Sequence, residues 1–303
     1  MKNLLTFTGG ILLLFSCSGV SGQAVPTEPR AYLNVPKGTQ SLGAYYTYAD
    51  ANFPSLQNSH YLNESGIHNN IVFTRFASFF SVGGKTAGVN VMLPYTFVDG
   101  NIPNLGLKGS NAGFGDISVT IGSNIIGAPS LTLPEFVKYK QKTILSWSLQ
   151  FTGPTGKYDT TAVLNIGTNH WIFKPELGLS QAFGKGFIWD FYPSVMFTTP
   201  NRMIKNGHKE TTKPIMGLDT HISYSFTPAI WASADFFSQF GGETAVDGTD
   251  QDDRQATIKV GATVKGMLKR RHLFGLAFMK TVHEDQGADV LAVTFSYMYT
   301  LRL

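Results

Sequence analysis

Apolar and polar residues alternate with a period of two along most of this chain. Leu145, Trp147, Leu149 and Phe151 interleave with Ser146, Ser148 and Gln150. Met216, Leu218, Thr220, Ile222, Tyr224 and Phe226 interleave with Gly217, Asp219, His221, Ser223 and Ser225. Val89, Val91, Leu93 and Tyr95 form another stripe, and Ile258, Val260, Ala262 and Val264 alternate with Thr257, Lys259, Gly261 and Thr263. Successive side chains of a strand point to opposite faces, so these stripes predict strands with one apolar and one polar face. Twelve segments qualify, near 40–49, 68–81, 86–98, 114–126, 142–153, 168–182, 187–198, 213–226, 229–240, 255–266, 272–282 and 289–302. Each runs to about 10 residues or more, enough to cross a bilayer at a tilt.

The connections alternate in length. Short ones cover 82–85, 184–186, 227–228 and 267–271, and long polar ones cover 50–67, 99–113, 153–167, 199–212 and 241–254. Short turns on one rim and long loops on the other are the mark of an outer-membrane barrel. Segment 127–141 falls on the short-turn side yet is long, and is expected to hold a small periplasmic helix. A soluble sandwich would also alternate, but it seldom turns Trp, Phe and Tyr toward water. Trp147, Trp171, Trp189 and Trp231 all fall inside predicted strands, near the depth where interfacial aromatic belts sit. The expected fold is therefore all-β, a transmembrane antiparallel barrel of about twelve strands with short periplasmic turns and long extracellular loops.

Composition agrees. Of 303 residues, 15% are charged, 43% are apolar, and Gly numbers 32 and Phe 23, with a net charge of +4. That excludes a disordered chain, and no run approaches the ~20 apolar residues of a spanning helix. The one dense basic cluster, Lys269-Arg270-Arg271-His272, is too short to indicate nucleic acid. Met1-Lys2-Asn3, the apolar Leu4 to Phe15 and the small residues from Ser16 to Gly22 read as a secretory signal peptide. Cleavage after Gly22 or Ala24 are both open. A lipoprotein-like reading of Leu14-Phe15-Ser16-Cys17, which would lipidate Cys17, is the alternative. The domain reading is a signal peptide at 1–22, a short periplasmic or luminal segment at 23–39 and the barrel at 40–303.

Several short motifs then resemble a known family. They are Ala31-Tyr32 through Pro36-Lys37-Gly38-Thr39, Gly113-Phe114-Gly115-Asp116-Ile117, Phe151-Thr152-Gly153-Pro154-Thr155-Gly156-Lys157-Tyr158-Asp159, Asn165-Ile166-Gly167, and Trp171-x-Phe173-x-Pro175. Together they resemble the outer-membrane barrels named for the meta-pathway of phenol degradation. The resemblance implies a barrel and, loosely, passage of small hydrophobic or aromatic compounds. Its C-terminus carries Leu303 where the barrel-assembly signal usually has Phe, and Met298 where Gly is frequent. Bottom-up, Gly-Pro-Thr-Gly at 153–156 is turn chemistry, and Asp116 is placed either to cap that turn or to point inward.

With the aromatic stripe facing lipid, parity sends the polar stripe inward, because a charge on the lipid face costs about 2–4 kcal/mol at mid-depth. The candidate lumen residues are Asp116, His170, Lys174, Glu176, Asp190, Tyr192, Asp219, His221, Asp235 and Lys259. Lys174, Glu176, Asp190 and Asp219 fall on three consecutive strands and are expected to form a cross-strand ionic ladder, either structural or charge-selective. His221-x-Ser223 faintly resembles the His-x-Ser of outer-membrane phospholipases, but Tyr224-Ser225 replaces the Asn-Gly that follows there. The acidic run from Asp247 to Asp253 does not match the twelve-residue calcium loop and reads as a solvated loop. No His/Cys zinc set and no phosphate-binding Gly loop is present, so no cofactor is expected.

The expectation is an outer-membrane channel that passes small, hydrophobic or aromatic solutes by passive diffusion, with no catalysis. Its rivals are a structural or adhesive barrel with a closed lumen and a membrane-embedded hydrolase. Expected partners are outer-membrane lipid and lipopolysaccharide, the barrel-assembly machinery and a small-molecule solute, without nucleic acid.

Overall fold

The computed structural model describes residues 26–52, 66–102, 107–162, 164–204 and 207–302. The segment expected to be a signal peptide at 1–22, Cys17 within it, Leu303 and parts of the loops at 50–67 and 99–113 lie outside these residues. Thirteen strands make one sheet: β1 (Gln40–Asn52), β2 (Gly66–Val82), β3 (Lys85–Ile102), β4 (Leu107–Phe114), β5 (Ser118–Ile126), β6 (Ile144–Thr152), β7 (Ile172–Phe183), β8 (Phe187–Thr198), β10 (Ile215–Ser225), β11 (Ile230–Gly241), β14 (Gln255–Leu268), β15 (His272–Asp285) and β16 (Asp289–Arg302). Strands β9 (Glu210–Thr212), β12 (Thr244–Val246) and β13 (Thr249–Asp250) form a small separate sheet in the long-loop region.

The large sheet closes on itself. β1 pairs with β16 on one side, as in Ala49 opposite Ala292, and with β2 on the other, as in Tyr45 opposite Phe73. β4 and β5 share one position beside β3, with Tyr95 opposite Phe114 and Met92 opposite Ser118. The wall is thus a closed antiparallel barrel of twelve staves, matching the twelve predicted segments. The segment foreseen as a small helix holds α1 (Leu133–Lys138), started by a Thr132–Glu135 capping box of the kind that satisfies free N-terminal donors.

What holds this wall is the inverse of a soluble core. Leu42, Val72, Trp147, Leu177, Phe274 and Phe295 lie on the exterior, while Ser146, Glu176, Asp190, His221 and Ser223 are buried inside. Period two places them so, and lipid is the solvent that makes the apolar exterior stable. Closure pairs every stave with two neighbours, which removes the open edges that hydrocarbon cannot satisfy.

Two expectations need correction. β7 begins at Ile172, so Trp171 and His170 sit in the loop ahead of it. Trp231 shares parity with the buried Ser233 and Asp235 and faces the lumen rather than a lipid belt. Its indole carries the Arg30 guanidinium 4.5 Å above its ring, a partner that the strand pattern alone does not reveal.

Candidate functional site

The lumen is occupied from both ends. From β1, residues 26–39 turn back into the barrel as a plug. Its seat is built at successive depths. Near the short-turn rim, Asn34 Nδ2 donates to the Pro129 carbonyl at 3.0 Å, and Thr86 Oγ1 donates to Asn34 Oδ1 at 2.7 Å. Beside the short turn between β10 and β11, Arg30 Nε donates to Ser223 Oγ at 2.8 Å and its Nη2 to Ser225 Oγ at 3.0 Å. Tyr32 Oη donates to Glu176 Oε1 at 2.6 Å, and its ring meets Tyr192 edge-on at 5.0 Å. At the tip, the Thr27 amide donates to Asp219 Oδ2 at 2.7 Å. Glu28 pairs with Arg75 at 3.1 Å and Lys265 at 3.0 Å. Burial alone would raise the Glu28 carboxyl, but Lys265 and Arg75 outweigh it and hold it at about 2.

From the opposite rim, residues 153–171, which connect β6 to β7, fold inward as a lid. Leu164 and Ile166 pack into an apolar cluster with Ala49, Ile67, Val98 and Val290 from the facing wall. The base of the lid is held by Asp116, in the break between β4 and β5. Its Oδ1 accepts from the Gly156 amide at 2.7 Å, and its Oδ2 from the Thr168 amide and Oγ1 at 2.8 and 2.7 Å. Asp116 thus both points inward and caps the turn, joining the two placements the sequence left open. The Gly-rich motifs converge here. A Cβ on Gly156 would lie 2.8 Å from the Gly115 backbone, and one on Gly167 would lie 2.8 Å from Gly156, so these segments approach as closely as only glycine permits. His170 is half-buried in the lid, where burial lowers its pKa against the opposing pull of Asp116.

The remaining candidates line the wall between plug and lid. Lys174 and Glu176 pair at 3.0 Å. The ladder stops there. Asp190 accepts from Ser180 Oγ at 2.6 Å and the Arg30 amide at 3.0 Å, and Asp219 takes the Thr27 amide, so plug groups partner these carboxylates rather than wall cations. Tyr192 is fully buried against Tyr32. His221 Nδ1 meets Asp235 Oδ1 at 2.9 Å, and Asp235 Oδ2 accepts from Thr263 Oγ1 at 2.7 Å. Ser223 Oγ is taken by Arg30 and lies on no hydrogen bond to His221, so the pair lacks the contact a nucleophile and its base require. Lys259 is buried beside the lumen. The acidic run is dispersed over separate partners. Asp247 binds His208, Asp250 binds Lys213, and Asp253 accepts from Thr244.

Sequence reasoning did not single out Arg75, Lys265 or the plug residues Thr27, Glu28, Arg30 and Tyr32. Parity would have turned Lys265 inward with Lys259 and Thr263. The plug has no periodicity to read.

Among the described residues, two sizeable cavities flank the plug. The outer one, about 220 Å³, lies between the plug tip and the lid-bearing wall, against Ile71, Phe73, Phe237, Met279 and Val290. The inner one, about 190 Å³, runs beside the plug past Arg75, Phe79, Asn90 and Glu176. They lie on either side of the same residues, the plug tip at Thr27 and Glu28 and the wall at Tyr45, Phe73 and Met92.

A closed twelve-stave barrel with an aromatic exterior and a polar, plugged interior is a transmembrane barrel of the outer-membrane class. The chain belongs to the family described as "Putative MetA-pathway of phenol degradation", which matches residues 51–297. Its fold is similar to the COG4313 outer membrane channel from Pseudomonas putida F1, with a TM-score of 0.79 at 18% identity over 90% of this chain and 99% of that one. More distant likenesses are the transport unit of the autotransporter AIDA-I from Escherichia coli, TM-score 0.52 at 10% identity over 96% and 97%, and the beta domain of the Bordetella autotransporter BrkA, TM-score 0.51 at 11% identity over 86% and 98%. At such identities the likeness shows the barrel alone. No curated protein matches the sequence.

Proposed function

We propose that the protein is an outer-membrane channel admitting small, apolar or aromatic solutes by passive diffusion. The carrying observation is the pair of cavities that flank the plug tip along β1 to β3, with a largely apolar outer chamber. An apolar pocket of roughly 150 Å³ accepts one benzene, so a chamber of about 220 Å³ takes a monoaromatic body and rejects large solutes. A twelve-stave barrel lies between small filled barrels and wide porins, and the plug narrows it further. The shared fold with the solved channel of Pseudomonas putida F1 is consistent with this role. The lumen offers no nucleophile–base pair at His221 and Ser223, and the driving force is the concentration gradient alone.

The test is single-channel conductance of the refolded chain in a planar bilayer, together with flux of labelled toluene into liposomes that contain it. Small discrete current steps that toluene suppresses, with toluene flux above that of protein-free liposomes, support the reading. A silent bilayer and background flux, from protein shown folded by its shifted mobility without heating, replace it with a closed structural barrel.

A further inference from the structure

Among the described residues, the other Lys and Arg side chains that reach into the lumen have ionic or hydrogen-bonding partners. Arg75 and Lys265 share Glu28, Lys174 holds Glu176, and Arg30 lies on Ser223 and Ser225. Lys259 has no such contact. It is 8% exposed, yet among the described residues no hydrogen bond or ion pair reaches its Nζ, and it opens on the outer chamber. The nearest acidic groups are committed elsewhere. Asp235 is bonded through both oxygens to His221 and Thr263. Asp219 attracts Lys259 from one stave beyond Phe237 without contacting it, and its Oδ2 is bonded to the Thr27 amide. A buried ammonium that no carboxylate contacts directly is costly, and a cation with free donors recruits an acceptor.

The wall around Lys259 adds a second observation. The register between β14 and β15 shifts between Ile258 and Lys259, so that Ile258 faces His283 while Lys259 faces Thr281 and Val282 is left over. Such bulges bend a strand and re-aim side chains, and they gather beside functional sites. Phe237 lies directly across the strand pair from Lys259, and Met279 lines the same chamber. The chamber is largely apolar in area, and Lys259 is the one cation lining it. The four carboxylates that also line it, Glu28, Asp116, Asp219 and Asp235, are each bonded to donors of the plug, the lid or the wall. The chamber thus pairs an apolar wall with one uncommitted cation, the pattern by which pockets orient amphipathic ligands.

We propose that Lys259 is the docking cation for a small monocarboxylate on an apolar, aromatic body, with the ring held against Phe237 in the outer chamber. The inference rests on the channel reading above and deepens it by naming the solute class. A carboxylate accepts charge-assisted hydrogen bonds from an ammonium, and the rest of a benzoate-like ligand buries against the chamber wall. A neutral hydrocarbon fits the chamber but leaves Lys259 without a partner. An amine would face Lys259 with like charge.

The test is calorimetric titration of the refolded chain with benzoate, toluene and benzylamine at neutral pH, in wild type and in Lys259→Met, Lys259→Arg and Asp219→Asn. Wild type is expected to bind benzoate more tightly than toluene, and benzylamine least. Lys259→Met lowers the benzoate-to-toluene affinity ratio by about tenfold or more, the worth of one charge-assisted bond, whereas Lys259→Arg retains it. Asp219→Asn raises benzoate affinity by removing a nearby negative charge, and it carries the test if Lys259→Met fails to fold. A ratio unchanged in Lys259→Met, or benzylamine bound as tightly as benzoate, overturns the assignment. Toluene binding and flux without benzoate binding overturns it alone and leaves the channel standing. Loss of both toluene flux and all binding removes the channel reading as well.

Discussion

The two closures of the lumen are built from opposite chemistry. The lid at 153–171 is tethered to the wall at both ends, seats Leu164 and Ile166 in an apolar cluster, and hangs on the single carboxylate of Asp116. The plug at 26–39 leaves the wall only at β1 and is seated by charge, through Glu28 between Arg75 and Lys265 and through Arg30 on Ser223, Ser225 and Trp231. Apolar packing is insensitive to ionic strength and to pH, whereas ion pairs that touch water are screened by salt. The apolar seat of the outer closure is therefore expected to hold across changes of salt, and the ionic seat of the inner one to weaken with them.

Asp116→Ala is the change expected to break this contrast most strongly. It removes the acceptor for three donors at once, the Gly156 amide and the Thr168 amide and hydroxyl. Each buried donor left unsatisfied costs about 1–3 kcal/mol, so lid docking loses about 3–5 kcal/mol after partial rescue by water. Limited proteolysis of the folded barrel reads this as new cleavage within 153–171, with the plug untouched. Protection identical to wild type would show that the apolar cluster alone seats the lid.

Leu164→Ala tests that other half. Leu164 is 3% exposed among Ala49, Ile67, Val98 and Val290, and removing a buried leucine side chain costs about 2–4 kcal/mol. The same proteolysis assay should show cleavage weaker than in Asp116→Ala, and its extent should not vary with salt. A strong salt dependence would place an ionic contribution in the lid and erase the distinction.

Glu28 is the lever on the plug. A carboxyl that folding depresses from 4.5 to about 2 stabilises the docked form fully above its ordinary value and loses that contribution as pH falls through the folded one. Single-channel conductance should stay flat from pH 7 to about 4.5 and rise as pH falls toward 2. Glu28→Gln should raise conductance at neutral pH and flatten that dependence, because Arg75 and Lys265 then face each other unneutralised. Raising the salt should move wild type toward the variant. A flat profile down to pH 2 in wild type contradicts a charge-seated plug.

The sequence revealed the wall far better than its contents. Period two carried the twelve staves and the side each residue faces, because lipid enforces parity on every residue of a strand, as at Trp147 against Ser146 and Ser148. Loop lengths carried the polarity of the two rims. The β4–β5 break was legible only as glycine turn chemistry. The meeting of Gly115, Gly156 and Gly167 there depends on residues distant in sequence and has no local periodicity. The ionic ladder was misread for the same reason. Parity puts Lys174, Glu176, Asp190 and Asp219 in one lumen, but which of them meet depends on the Thr27 and Arg30 amides, which belong to a proline-rich segment without strand or helix pattern. Trp231 was assigned to a lipid belt by residue type, although its parity with Ser233 and Asp235 already turned it inward.

Trp231 also supplies the smallest and most discriminating perturbation of the plug. The Arg30 guanidinium sits 4.5 Å from its ring centre while still donating to Ser223 and Ser225, so Trp231→Ala removes one contact of three. A cation–π contact at a partly exposed site is worth about 0.5–1 kcal/mol, which changes the population of an undocked plug by roughly two- to fivefold. Wild type and variant should differ in the frequency of brief current openings and not in the size of the steps, because the wall and the cavities are unchanged in width. Openings should become still more frequent in the double variant with Ser223→Ala, since the Arg30 guanidinium then keeps only Ser225 while its amide stays on Asp190. Larger steps in Trp231→Ala would instead mean that the indole itself narrows the pore, and the plug would no longer be the gate at the short-turn end.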